Sequence, residues 1–215
     1  MQKITIIGAN GQIAKLVERK LLNDHDLEMK LFARNSSRIP TEIATARNVE
    51  LVEGDANDFS SVNDAIQGAN LVYVNLGGVF APMVKNIVRA MNQNQVKRLI
   101  YVTGLGLYHE VPDPFGSWVE ESVGHNVMED TRTAAAEIES NHEIIYTIIR
   151  AAYMSNQPEV DYELTKKGEP FQGTTISRKS IADLIVKIIV DPKKYQNESL
   201  GISKPGTDGE TPQFV

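Results

Sequence analysis

The run Gly8-Ala9-Asn10-Gly11-Gln12-Ile13-Ala14 sets two glycines and an alanine at three-residue intervals. Gly8 turns without a Cβ penalty, and Gly11 lets backbone approach a ligand closely. Before it, Ile4-Thr5-Ile6-Ile7 is the apolar, β-branched run of a strand buried on both faces. After it, Leu16, Val17, Leu21 and Leu22 recur at helical spacing, and Ala14 is small enough for that helix to lie tightly on the strand. The amides that open the helix, from Gln12 and Ile13 onward, point over the turn, where the helix dipole favours an anion. A glycine pair alone is equally an ordinary turn without a ligand. Its place between strand and helix decides for a diphosphate cradle, the first βα unit of a dinucleotide site.

Further groups fall at the ends of later strands. An NAD site places Asp or Glu about 20 residues beyond the glycines, to accept from the ribose hydroxyl. Here Arg34 follows the strand Met29–Ala33, with Ser36, Ser37 and Arg38 close behind. Guanidinium and hydroxyl donors suit a 2′-phosphate, which a carboxylate would repel. The alternative is a solvated polar loop; we favour NADP(H), with NAD(H) second. Asp55-Ala56 ends the strand Val49–Val52, where an adenine would lie. Asp55 equally suits a role in starting the Phe59–Gln67 helix. Leu76-Gly77-Gly78 follows the strand Leu71–Val74 and allows backbone to pass close to a ribose or diphosphate.

The elements that must position these groups alternate strand and helix. Pro82–Asn92 is a helix with Met83, Ile87, Val88 and Met91 on its core side. Leu99–Val102 is a fifth strand delivering Thr103 through His109 to the carboxyl edge, where open α/β sheets bind ligands. Pro112, Pro114, Gly116 and Gly124 predict a long ordered loop over 110–126. A helix over 127–141, a sixth strand Ile144–Arg150, a helix over 180–190 and a last strand near Leu200 complete the pattern. Residues 153–173 read as irregular or short-stranded, and the tail after Pro205 as extended or mobile. The fold class is α/β: one Rossmann-type domain over 1–215, a doubly wound, mostly parallel sheet flanked by helices. Residues 107–126 and 153–175 are its expected substrate-side loops.

Composition narrows the partners. With a net charge of −6 and no basic run, the chain lacks the clustered cations that nucleic acid requires. No apolar run approaches the roughly 20 residues of a membrane span. The absence of cysteine removes disulfides and thiolate chemistry. Met1 runs almost directly into the first strand, which leaves no room for a signal peptide. His25, His125 and His142 lack metal-ligand spacing, and His109 reads as a surface residue. The expectation is a cytoplasmic protein, monomer or homodimer, that binds a small-molecule acceptor and no metal.

Taken in order, Gly8-x-x-Gly11-x-x-Ala14, Arg34, Gly54-Asp55, Gly77-Gly78, Thr103-Gly104-Leu105-Gly106 and Tyr146–Arg150 resemble the atypical short-chain dehydrogenase/reductases. The likeness is to their small NAD(P)H-binding group, which includes NmrA-like sensors and biliverdin reductase B-like flavin reductases, and it covers nearly the whole chain. The resemblance implies NADP(H) at the carboxyl edge and often a reductase activity. It puts Gly8, Gly11 and Ala14 at the glycine turn and Arg34 at the 2′-phosphate, and Asn10, Gln12, Ile13 and Ser37 join the expected cofactor-binding set beside them. Asp55 and Ala56 fall by the adenine, Leu76 and Gly77 by the ribose-diphosphate, and Thr103 at the active-site Ser/Thr position. Typical members also carry a Tyr-x-x-x-Lys pair on the helix after this loop. Aligned on Ala136-Glu137, the matching positions here are Glu129 and Thr133, neither able to do that work. Ala151 stands where a Pro usually follows the strand-six Arg.

Hydride transfer belongs to the cofactor, and the protein must mainly hold nicotinamide against an acceptor. A flavin or quinone takes its proton from water, so the missing tyrosine does not abolish such a reaction. Thr103 and Tyr108 are the candidate catalytic residues. Tyr108 could replace the phenol, although its pKa near 10 needs a donor or cation beside it; the alternative is that it packs the loop. Two readings follow: an NADPH-dependent oxidoreductase of flavin- or quinone-type acceptors, or a non-catalytic NADP(H)-sensing protein. The missing pair favours the second, and an aromatic cover around Trp118 and Tyr162 favours the first, which we prefer.

Overall fold

The computed structural model describes residues 1–214. Its elements run β1 (Gln2–Ile7), α1 (Gln12–Leu21), β2 (Leu27–Ala33), α2 (Thr41–Ala44), β3 (Val49–Glu53), α3 (Phe59–Ile66), β4 (Leu71–Val74) and α4 (Phe80–Gln93). The second half continues β5 (Arg98–Gly104), α5 (Phe115–Val123), α6 (His125–Glu139), β6 (Ile145–Ala151), β7 (Tyr153–Ser155), β8 (Glu163–Lys166), β9 (Thr175–Ser177), α7 (Arg178–Val190) and β10 (Glu198–Ser203). The main sheet has the order β3-β2-β1-β4-β5-β6-β10-β8. Every neighbouring pair is parallel except β8 against β10. The chain steps outward from β1 to β3, then crosses back to place β4 on the other side of β1. That reversal opens a crevice above the carboxyl ends of β1 and β4.

Side chains alternate between two cores, as the pleat requires. Ile4 and Ile6 of β1 pack with Val17 and Leu21 of α1 and with Ile181, Leu184, Ile185 and Ile188 of α7. Ile7 points the other way, into a core built from α3, α4 and the second half of α6. Thr5 faces that second side and donates to the Ala65 carbonyl at 3.0 Å, so its buried hydroxyl is satisfied. Both faces of the strands are covered, which accounts for their continuous apolar character. The structure is thus the single doubly wound α/β domain expected.

Two segments differ from expectation. Residues 110–126 are not one loop, because α5 occupies Phe115–Val123. The punctuation that suggested a loop marks the start of that helix instead. Pro114 stands at its N-cap, and the Asp113 carboxylate accepts from the Ser117 amide at 2.9 Å and hydroxyl at 2.7 Å. Gly116 is required because a Cβ there would lie 2.3 Å from the Val111 carbonyl oxygen. The tail after Pro205 is also held in place. Gly173 N donates to Asp208 at 2.9 Å, and Thr175 donates to the Gln213 carbonyl at 2.8 Å. Thr207 is fully buried against this edge.

Candidate functional site

Above the crevice lies a cavity of about 590 Å³. Ile7, Gly8, Asn10 and Gly11 form its floor, Arg34, Asn35 and Arg38 one end, and Asp55, Ala56, Asn57 and Met83 another part of the rim. Asn75, Leu76, Gly77, Gly78 and Val79 make the facing wall. The sequence-predicted Gly8, Asn10, Gly11, Arg34, Asp55, Ala56, Leu76 and Gly77 are therefore brought together. Gln12 and Ile13 are the first two residues of α1, whose N-cap Gly11 offers no side-chain cap.

The glycines serve a purpose the sequence does not reveal. Gly8 has φ +87°, and a Cβ on it would lie 2.1 Å from the Asn75 carbonyl oxygen. A Cβ on Gly11 would lie 1.9 Å from Asn75 Nδ2. Gly11 thus makes room for Asn75 of the protein itself as well as lining the cavity floor. Asn75 N donates to the Ile7 carbonyl at 2.9 Å, locking the β4 end onto the turn. Asn75 carried no sequence signal beyond preceding Gly77 by two.

The cation-bearing rim is simpler than expected. Among the described residues, neither Arg34 nor Arg38 enters a salt bridge. Ser37 does not line the cavity: its hydroxyl donates to Asn35 Oδ1 at 2.6 Å. The Ser36 amide and hydroxyl both donate to Glu53. Protein acceptors thus occupy both hydroxyls in an Asx-type turn, and Arg38 and Asn35 replace Ser37 at the rim. Asp55 accepts from the Asn57 amide and side chain, both at 2.9 Å, bonds that hold its carboxyl below the usual range. The cap of α3 is Asp58, which accepts from Ser60 and Ser61, so Asp55 has no capping role.

Thr103 sits near the carboxyl end of β5, in register with Arg150 of β6. It lies outside the residues lining this cavity, and its buried hydroxyl completes no hydrogen bond, although the Tyr101 phenol lies beside it. Tyr108 lies elsewhere, contrary to its expected role at the edge. Its hydroxyl meets Glu139 at 2.7 Å and Ser199 at 2.9 Å. Glu139 ends α6 and Ser199 is the second residue of β10, both toward the amino-terminal ends of the strands. The loop beyond β5 has folded down the sheet face, drawn by Glu110. That carboxylate accepts from Gly106 N at 3.1 Å, Tyr108 N at 2.8 Å and Arg150 Nη1 at 2.6 Å. Burial pushes the Tyr108 phenol up, further from a useful acid. Tyr162 is likewise no cover, since its hydroxyl is bonded to Asp183 and Lys187 of α7. Trp118 packs instead with Phe115 and Tyr153, at centroid distances of 5.9 and 5.1 Å.

A dinucleotide fits these features. The cavity ends in two uncommitted guanidinium groups, and its floor is an uncapped helix N-terminus. Asn10 Oδ1 is buried without a partner beside it. The sequence matches the model of the NAD(P)H-binding family over residues 8–192. The chain belongs to that family, in the manner of the atypical short-chain reductases. It is 36% identical to a Rossmann-fold NAD(P)-binding family protein from Shigella flexneri, with both chains fully covered and a TM-score of 0.85. A Veillonella parvula short-chain dehydrogenase/reductase in complex with NADP is 29% identical, with 99% of each chain covered and a TM-score of 0.92. A curated relative, the NmrA-like family domain-containing oxidoreductase himF of Aspergillus japonicus, is 29% identical over 114 residues. That match takes in 48% of this chain and only 34% of the relative, so the chain spans about a third of the relative's length. Among the described residues, no helix is long and apolar enough to cross a membrane.

Proposed function

We propose that this protein is an NADPH-dependent oxidoreductase that reduces a small conjugated acceptor of flavin or quinone type. The observation that carries the cofactor choice is the pair Arg34 and Arg38, both on the cavity rim and both outside any salt bridge. A 2′-phosphate offers the two cations charge-assisted partners, whereas a ribose hydroxyl leaves them only the field of the nearby Asp55 carboxylate on Arg34. The NADP-bound state of the Veillonella relative supports the same reading.

In this reading Gly8, Asn10 and the first amides of α1 bind the diphosphate, and Asp55 accepts from the adenine amino group. When bound, the reduced nicotinamide supplies a hydride. The Thr103 hydroxyl, buried and completing no hydrogen bond within the protein, donates to the acceptor oxygen or nitrogen that gains the electron pair. Water supplies the balancing proton, because neither Tyr108 nor the Glu129–Thr133 spacing provides an acid at the edge. That same lack favours the second reading, a regulatory protein that binds NADP(H) without turning it over.

A titration with NADPH, NADH and their oxidised forms tests the first step. An Arg34→Ala, Arg38→Ala double variant should lose about 10–100-fold in NADPH affinity and almost nothing for NADH, the worth of one or two charge-assisted bonds. Equal losses for both cofactors would overturn the phosphate assignment. Thr103→Val should lower NADPH oxidation by flavin or quinone with NADPH affinity intact. Absence of any turnover in the parent favours the sensor.

A further inference from the structure

We propose that Asp130 is a positioning residue for the dinucleotide, holding the β4–α4 wall of the cavity from the neighbouring helix. This rests on the reading of the cavity as a dinucleotide site. Helix α4 has no cap of its own, since Val79 at its N-cap offers no side-chain acceptor. Its first amides are met from α6 instead. Asp130 Oδ2 accepts from Phe80 N at 2.5 Å and Oδ1 from Ala81 N at 3.0 Å. The carboxylate thereby satisfies two orphan donors and opposes the positive end of the α4 dipole.

What this clamp controls lies just upstream. Gly77 and Gly78 carry no side chain, and a Cβ on either would meet nothing within 4 Å. Val79 is 64% exposed. Leu76 packs on the second core, but the wall beyond it has almost no packing of its own, and the place of those three residues is set by the two ends. One end is Asn75, tied to β1 through the Ile7 carbonyl. The other is the Asp130 clamp on Phe80 and Ala81. Without that second anchor, the free protein must order three residues each time it binds, and the cost appears as lost affinity. Two residues along α6, Arg132 donates to the Gly106 carbonyl at 2.9 Å and pairs with Glu120 of α5. One helix thus fixes the nucleotide wall and the loop beyond β5 together.

The test compares four proteins by calorimetric titration with NADPH and NADP⁺, each with its melting temperature: the parent, Asp130→Ala, Asp130→Asn and Asn48→Ala. Asn48 is the control. Its Nδ2 donates to the carbonyls of Leu21, Asp24 and Leu27 at the amino-terminal ends of the strands, away from the cavity. Asp130→Ala should raise Kd about 10-fold, in line with the loss of a helix cap. Asp130→Asn keeps one acceptor and should lose about 3-fold, and Asn48→Ala should melt earlier with Kd changed less than about 2-fold. An Asp130→Ala protein that binds as tightly as the parent would sink the proposal. So would an Asn48→Ala protein that loses affinity in step with its stability, since the effect would then be general softening. A parent that binds neither nucleotide overturns the reading of the cavity itself, and this proposal with it.

Discussion

The two halves of the carboxyl edge treat polar groups in opposite ways. Over β1–β4, bonding capacity is left unused: Arg34 and Arg38 stand outside salt bridges, Asn10 Oδ1 has no partner, and α1 has no side-chain cap. Beyond β5 nearly every polar group is already spent on the protein. Arg150, fully buried, reaches Glu110, Ser199 and the Thr165 carbonyl. Tyr108 and Lys167 both bond Glu139. The first half is organised to bind something else, and the second to hold a long loop down. Thr103 and Tyr101 of β5 and Thr165 of β8 are exceptions on that side, buried hydroxyls that complete no hydrogen bond.

Breaking the spent half should produce the largest change in stability. Arg150→Met leaves the Glu110 carboxylate buried beside no cation, which typically costs about 3–5 kcal/mol. Urea unfolding would measure it, and adding Glu110→Gln should recover part of the loss. An unchanged midpoint would mean that the pair contributes nothing. Burial alone would push the Glu110 carboxyl up, but the Arg150 guanidinium and the surrounding amides bring it below its ordinary value. Its contribution is therefore present at neutral pH and lost as pH falls through that depressed value.

Glu18 gives the opposite sign. It lies on α1, fully buried with neither oxygen bonded, and burial pushes it up to about 8 despite Lys15 and Arg19 nearby. The folded protein holds that proton more tightly than the unfolded chain does. Stability is then greatest below the ordinary value of 4.5, falls as pH rises toward about 8, and levels off beyond it. Glu18→Gln should match the parent at pH 4 and exceed it by about 2–4 kcal/mol at pH 9. A constant difference across pH would place the charge elsewhere.

The double Arg34→Ala, Arg38→Ala change is the mirror of Arg150→Met. Both side chains are outside salt bridges, so unfolding should shift by less than about 0.5 kcal/mol while NADPH affinity falls. Loss of stability together with affinity would remove the contrast between the halves.

What the sequence made legible follows the same division. The succession of strands and helices and the cavity floor were readable because each strand is a short apolar run ended by glycine or a polar group, a local pattern. Arg34 and Asp55 were readable because their place follows from the strand before them. Asn75 was not, because its function is steric exclusion against Gly8 and Gly11, more than 60 residues upstream. Asp130 was hidden for the same reason: it caps a helix 50 residues away. Helix α5 is not legible as a helix because Pro114 and Gly116 break helices inside them but are compatible with their first turn. The place of Tyr108 is not legible, because Glu110 draws the loop down the sheet by pairing with Arg150, which nothing nearby in sequence announces.

Tyr108 and Ser37 supply the smallest expected effects, and they test the division residue by residue. Tyr108→Phe removes one hydroxyl from a part-buried network and should cost about 1 kcal/mol in stability. NADPH oxidation should be unchanged, since the phenol faces Glu139 and Ser199; a large fall in turnover at intact affinity would return it to the reaction. Ser37→Ala removes a hydroxyl already satisfied by Asn35 Oδ1 and absent from the cavity lining. If the rim is read by Arg34 and Arg38 alone, NADPH affinity should move less than about 2-fold, within what a surface substitution does. A drop as large as that for Arg34→Ala would show that Ser37 leaves Asn35 and turns to the phosphate on binding. The unused bonding capacity of the nucleotide half would then extend to a group that the free protein keeps paired.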